Sequence, residues 1–172
     1  RTYTQDLSNP LIPPKSDGQI VVSSVNIEEN GQRQPVNYVL PPGISRMFDS
    51  SQPQLLQQNE QALSMKITDL SPADARAVYK STAYDLRRYK RLQMFAHAEA
   101  PIDESKTLSN GDFSVFIRLG SDYKNNYYEY EVPLDLTPHS TILYNTNNSA
   151  DQEKVWPLNN TLNFKLETLT DL

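Results

Sequence analysis

Apolar and polar residues alternate with a period of two along much of the chain, the mark of strands with one buried face. The cleanest case is Phe113, Val115, Ile117 and Leu119, followed after a polar connection from Gly120 to Asn126 by Tyr128, Tyr130, Val132 and Leu134. With the Asn110-Gly111 turn signal in front of it, this stretch predicts a β-hairpin. Leu63, Met65 and Ile67 alternate in the same way, and Ile20 to Glu28 is rich enough in β-branched residues for a strand. Shorter strands are predicted at Val36–Leu40, over Leu92–Ala98, at Thr141–Tyr144 and over Leu162–Leu166. One helix is expected from Ser71 to about Lys80, because Ser71-Pro72-Ala73-Asp74 offers a hydroxyl N-cap, a proline at the first helical position and a carboxylate in the first turn. Tyr84-Asp85-Leu86 reads as a turn.

Prolines and polar residues divide the chain. Pro10, Pro13 and Pro14 make residues 1–18 an extended arm or linker, and the glutamine-rich stretch 49–61 reads as a loop. Residues 19–172 are then one domain. Short alternating strands with a single helix predict a mainly β fold, an antiparallel β-sandwich with two sheets packed face to face.

Composition narrows the function classes. Of 172 residues 37% are hydrophobic, so the core is modest, and no apolar run approaches the ~20 residues of a membrane-spanning helix. There is no cysteine, which removes disulfides and thiolate metal sites. The net charge of −5 and a pI near 5.0 argue against a nucleic-acid partner. One segment runs the other way: between Asp74 and Arg91 six bases face two acids, leaving this stretch at +4 and the rest of the chain at −9. The chain opens on Arg1 rather than methionine, which points to a piece of a longer protein.

No catalytic constellation stands out, and the chain is expected to be no enzyme. His97 and His139 are the only histidines and lack metal-ligand spacing, so no metal or cofactor is expected. Glu129 and Glu131 lie two apart on a strand, at a spacing compatible with inverting glycoside hydrolysis, but alternation puts them on the wet face, where such pairs are common. Asp112 and Asp122 are loop aspartates of the kind calcium uses, without a specific spacing. Asn147-Asn148-Ser149 and Asn159-Asn160-Thr161 fit a glycosylation acceptor, a pattern that asparagine-rich loops generate by chance.

Two surface candidates remain. Arg87, Arg88, Lys90 and Arg91, interleaved with Tyr89, suit docking on an acidic surface. Tyr123, Asn125, Asn126 and Tyr127 would form an aromatic and amide platform for a glycan, with Tyr127 on the face opposite the apolar stripe.

Longer strings carry a family resemblance: Asn37-Tyr-Val-Leu-Pro-Pro-Gly-Ile-Ser-Arg-Met47, Gln52-Pro-Gln-Leu-Leu-Gln-Gln-Asn-Glu60, Asp85-Leu-Arg-Arg-Tyr-Lys-Arg-Leu-Gln-Met-Phe95 and Arg118-Leu-Gly-Ser-Asp-Tyr-Lys-Asn-Asn-Tyr-Tyr-Glu-Tyr130. Over about Val36 to Trp156 the chain resembles the SprA/Sov family. That resemblance implies a part of a very large outer-membrane protein of Gram-negative bacteria, the translocation channel of type IX secretion, required for gliding motility and surface export. The chain has no run of lipid-facing barrel strands, so it resembles a soluble insertion that does not itself span the membrane. Its implied partners are other domains of the translocon, accessory proteins or secreted cargo. The segments Asp85–Leu92 and Arg118–Tyr130 also resemble, more loosely, galactose-binding jelly rolls, which leaves a carbohydrate-binding module as the second functional expectation. Residues 1–35 and 157–172 carry neither resemblance.

Overall fold

A computed structural model describes residues 2–3, 17–48, 57–102, 107–122 and 124–169. Most of the expected arm at 1–18, much of the 49–61 loop, and Tyr123 lie outside the described residues.

The mainly β expectation holds, with antiparallel pairing throughout. The strands are β1 (Thr2–Tyr3), β2 (Gln19–Asn26), β3 (Gln61–Thr68), β4 (Ala77–Val78), β5 (Arg91–Met94), β6 (Ser114–Gly120), β7 (Tyr127–Pro133) and β8 (Leu162–Lys165). They form four two-stranded ladders among the described residues: β1 with β4, β2 with β3, β5 with β8, and β6 with β7. Two α-helices accompany them among the described residues, α1 (Ile27–Asn30) and α2 (Ser149–Val155).

The β6–β7 hairpin matches its sequence pattern. Val115 faces Val132, Ile117 faces Tyr130 and Leu119 faces Tyr128, so the alternating apolar residues share one face. The ring of Tyr130 packs 4.3 Å from that of Phe164 on β8. Gly111 takes a φ of +85° in the turn ahead of the hairpin, as the Asn110-Gly111 signal requires. Gly120 is needed for a different reason: a Cβ there would run into the Asn126 carbonyl and Tyr127.

Four expected elements are replaced or cut short. The helix at Ser71–Lys80 is absent. Ala73 adopts a left-handed φ of +61°, and the Asp74 amide donates to the Ser71 carbonyl at 3.1 Å, closing a turn. Asp74 then turns its carboxylate to Arg76 instead of to a helix terminus, and Ala77–Val78 becomes a strand. The strand over Leu92–Ala98 pairs only as far as Met94, and Phe95 and His97 continue as irregular chain onto Trp156.

Val36–Leu40 is not a ladder strand either, yet Val36, Asn37, Tyr38 and Val39 are all buried. Loop backbone and side chains take the place of a ladder: Tyr38 N–H donates to the Asn30 carbonyl at 2.9 Å. The Asn37 amide clamps Tyr144 at two points, donating to its carbonyl at 2.9 Å and accepting from its N–H at 2.8 Å. Leu40 N–H donates to Thr146 Oγ1, and Trp156 Nε1 donates to the Val39 carbonyl at 3.0 Å. Asn160 repeats the clamp on Asp135. A side-chain amide carries the same donor and acceptor as a peptide unit, so one asparagine does what a ladder partner would do. The same economy removes the expected strand at Thr141–Tyr144, where Tyr144 joins the core from a loop.

α2 is an element the strand pattern does not predict. Its signal is Asn148, whose side chain accepts from the amides of Ala150 and Asp151, with Asp151 in the first turn. The helix delivers Val155 and Trp156 to the core, which gathers Val36, Tyr38, Val39 and Tyr144, with Val25, Ile27, Ala62 and Phe95 at its margin. Trp156 is its hub, meeting the rings of Tyr38, Phe95 and His97 edge-on at 5.9–6.4 Å.

Candidate docking surface

Every residue from Lys80 to Arg91 is exposed, and the only regular structure before β5 is a 3₁₀ turn at Leu86–Arg88. Asp85 builds that turn. Its carboxylate accepts from the Arg87 amide and takes the Arg87 guanidinium at two points, 2.8 and 3.1 Å. Those bonds hold the Asp85 carboxyl below, and the guanidinium above, its ordinary range.

The four predicted docking cations therefore differ. Arg87 is tied to Asp85, and Arg91 Nε donates to Asn163 Oδ1 on β8 at 2.5 Å. The Lys90 carbonyl accepts from Leu166 N–H, which fixes the backbone while its ammonium stays outside. Arg88 and Lys90 make no ion pair with any described residue. Tyr84, 70% exposed, and Tyr89, 55% exposed, flank an open recess that Ala83, Asp85 and Arg88 complete. Arg88 between the exposed tyrosines and Lys90 just beyond them give an acidic partner both charge and contact area.

The glycan-platform residues lie at the β6–β7 turn. Asp122 organises it by accepting from the amides of Asn125 (2.6 Å), Lys124 (2.7 Å) and Asn126 (3.3 Å) and from Asn126 Nδ2 (2.6 Å), which holds its carboxyl far below the usual range. Asn125 and Asn126 are exposed, the latter's side chain engaged with Asp122. The ring of Tyr127 carries the Arg118 guanidinium 4.0 Å from its centroid, and Arg118 also pairs with Glu129. Glu131 accepts from Ser114 Oγ. Both glutamates thus meet partners across the hairpin on its outer face.

A second polar cluster lies beside the core. His97 Nδ1 donates to the Val155 carbonyl at 2.8 Å, and Nε2 stands 3.4 Å from a Glu99 oxygen. The other Glu99 oxygen takes Arg33 at 2.5 Å. Burial pushes the Glu99 carboxyl up, but the bonds and charges of His97 and Arg33 outweigh it and leave it below the ordinary glutamate value. A carboxylate with a depressed folded pKa stabilises the fold above the unfolded value, and that contribution is lost as pH falls through the folded one. Thermal melts from pH 7 to pH 3 are therefore expected to separate the wild type from Glu99→Gln at neutral pH and to converge at the acid end. Curves that stay parallel would remove Glu99 as the acid-sensitive tie.

Residues 1–172 match the family model SprA_N, described as a motility related/secretion protein. The chain belongs to the SprA_N family. Membership covers the whole chain, including the two ends that carry no recognisable resemblance of their own. No curated protein matches it. No helix among the described residues of this SprA_N chain is long and apolar enough to cross a membrane. Nor do three or more of its described histidines and carboxylates gather as a metal group. Two features of the SprA_N surface escape the sequence pattern. Arg118 over Tyr127 follows from the hairpin register once the turn length is fixed, whereas the contact of His97 with Val155 joins residues 58 apart and has no local signal.

Proposed function

We propose that this chain is a non-enzymatic docking domain of the outer-membrane translocon of type IX secretion, serving gliding motility and surface export. Its exposed cationic segment binds an acidic surface of a neighbouring translocon domain or accessory protein. Family membership supplies the secretion and motility setting. The observation that carries the docking role is the segment Lys80–Arg91, wholly exposed and cationic on a chain whose remainder is anionic, with Arg88 and Lys90 unpaired among the described residues. Keeping two such cations free stabilises nothing within the domain, and a complementary partner gains both association rate and orientation from them.

The test is the double reversal Arg88→Glu with Lys90→Glu, combined with a photo-crosslinker at Tyr84. Docking is expected to weaken about tenfold or more, with loss of the crosslink to the neighbouring component and of secretion, and the wild-type crosslink is expected to fade as salt rises. Normal assembly and secretion in the reversed variant would sink the assignment. Adducts formed only from Tyr127, to surface glycan or cargo, would put carbohydrate or cargo recognition in its place.

A further inference from the structure

The β2–β3 ribbon is tied to the core at one end, through Val25 and Ala62, and is exposed over most of its length. Register places Ile20 opposite Ile67, Val22 opposite Met65 and Ser24 opposite Leu63. Paired residues share a face, so five apolar side chains line one side of the ribbon. Leu63 there is 60% exposed and Met65 41%.

The edges are equally unguarded. Sheets protect exposed edges with proline, bulges, inward charges or lysine. β2 and β3 pair over eight consecutive residues without a bulge, contain no proline or glycine, and carry one charge in sixteen residues, Lys66 on β3. β2 carries none, in a chain that is 22% charged. Depletion of charge around exposed apolar residues is the composition of an interface centre. Five partly exposed side chains fall well short of the roughly 800 Å² per partner that a standard interface buries. Face-to-face packing of two copies is thus too small, and the backbone groups of the β2 edge, which pair with no other strand among the described residues, must supply the rest.

We infer that the β2 edge accepts an added strand: an extended, uncharged segment of about eight residues from a partner polypeptide, its alternate apolar side chains extending the face of Val22, Met65 and Leu63. Main-chain bonds give the affinity and side-chain alternation gives the register. The site is separate from the cationic segment and does not depend on it.

Photo-crosslinkers placed singly at Val21 and at Ser23, in cells making the native protein, read this out. Added-strand pairing predicts adducts on one segment of another polypeptide at positions two residues apart, because neighbours across a ladder advance in step. Val22→Lys is expected to reduce both adducts about tenfold, the milder Leu63→Gln to act in the same direction with cellular protein level unchanged, and Arg88→Glu to leave them in place. Absence of adducts, adducts scattered over unrelated sites, or adducts solely between two copies of this chain would each overturn the inference.

Discussion

Trp156→Ala is expected to lower stability by about 3–5 kcal/mol, the usual cost of removing a large buried aromatic. Trp156 is 7% exposed and joins three rings to the segment Val36–Val39. With domain stabilities of roughly 5–15 kcal/mol, that loss removes a large share of the total. Trp156→Phe keeps most of the ring packing but forfeits the bond to the Val39 carbonyl, and is expected to cost only about 1–2 kcal/mol. Urea unfolding followed by far-ultraviolet circular dichroism measures both, since each variant loses the chain's single tryptophan as a fluorescent probe. Equal costs for the two variants would show that the indole N–H, and not ring packing, holds the core.

Arg76→Met should have a comparable effect for an electrostatic reason. The side chains of Asp74 and Arg76 are 0% and 1% exposed and meet at 2.9 Å, and Arg76 also donates to the carbonyls of Gly18 and Ala75. Removing the guanidinium takes the Arg76 cation from a buried carboxylate, and breaking a buried pair in this way typically costs ~3–5 kcal/mol. The double variant Asp74→Leu with Arg76→Met is expected to regain most of that loss, because replacing a whole buried pair by apolar groups is close to neutral. Because Arg76 holds Gly18 just before β2, the single variant is also expected to speed amide exchange at the start of the β2–β3 ribbon. A single variant as stable as the wild type would mean that water reaches the pair.

The same pair shows why the sequence misleads at Ser71–Lys80. Ser-Pro-Ala-Asp suits a helix start and a tight turn equally well, and the choice is made by what the aspartate faces. Here Arg76 and Gly18 capture the segment, at the cost of about 1–2 kcal/mol for the left-handed Ala73. Where the signal is local it reads correctly: the hairpin needs only period-two alternation and a turn, and both lie within residues 110–134. The core is less legible because Val36–Val39 is buried by partners more than a hundred residues away, through an asparagine that no propensity scale treats as a strand partner. Of the surface, the charge of the 74–91 segment was readable from composition. Which of its cations stay free was not, since that depends on Asp85 curling back onto Arg87 and on Asn163 lying beside Arg91.

The Asn37 clamp reaches Tyr144 across 107 positions, and the Trp156 indole reaches Val39 across 117. Chain appearing in order, N-terminus first, has no core to close until Val155 and Trp156 have followed the Val36–Val39 segment. Until then Val36, Tyr38 and Val39 lack much of the surface that covers them, while the β1–β4 pair, the ribbon and the hairpin can form ahead of it. A chaperone that holds extended polypeptide thus has a long interval in which to act, and truncation anywhere before Val155 leaves a chain with strands but no centre.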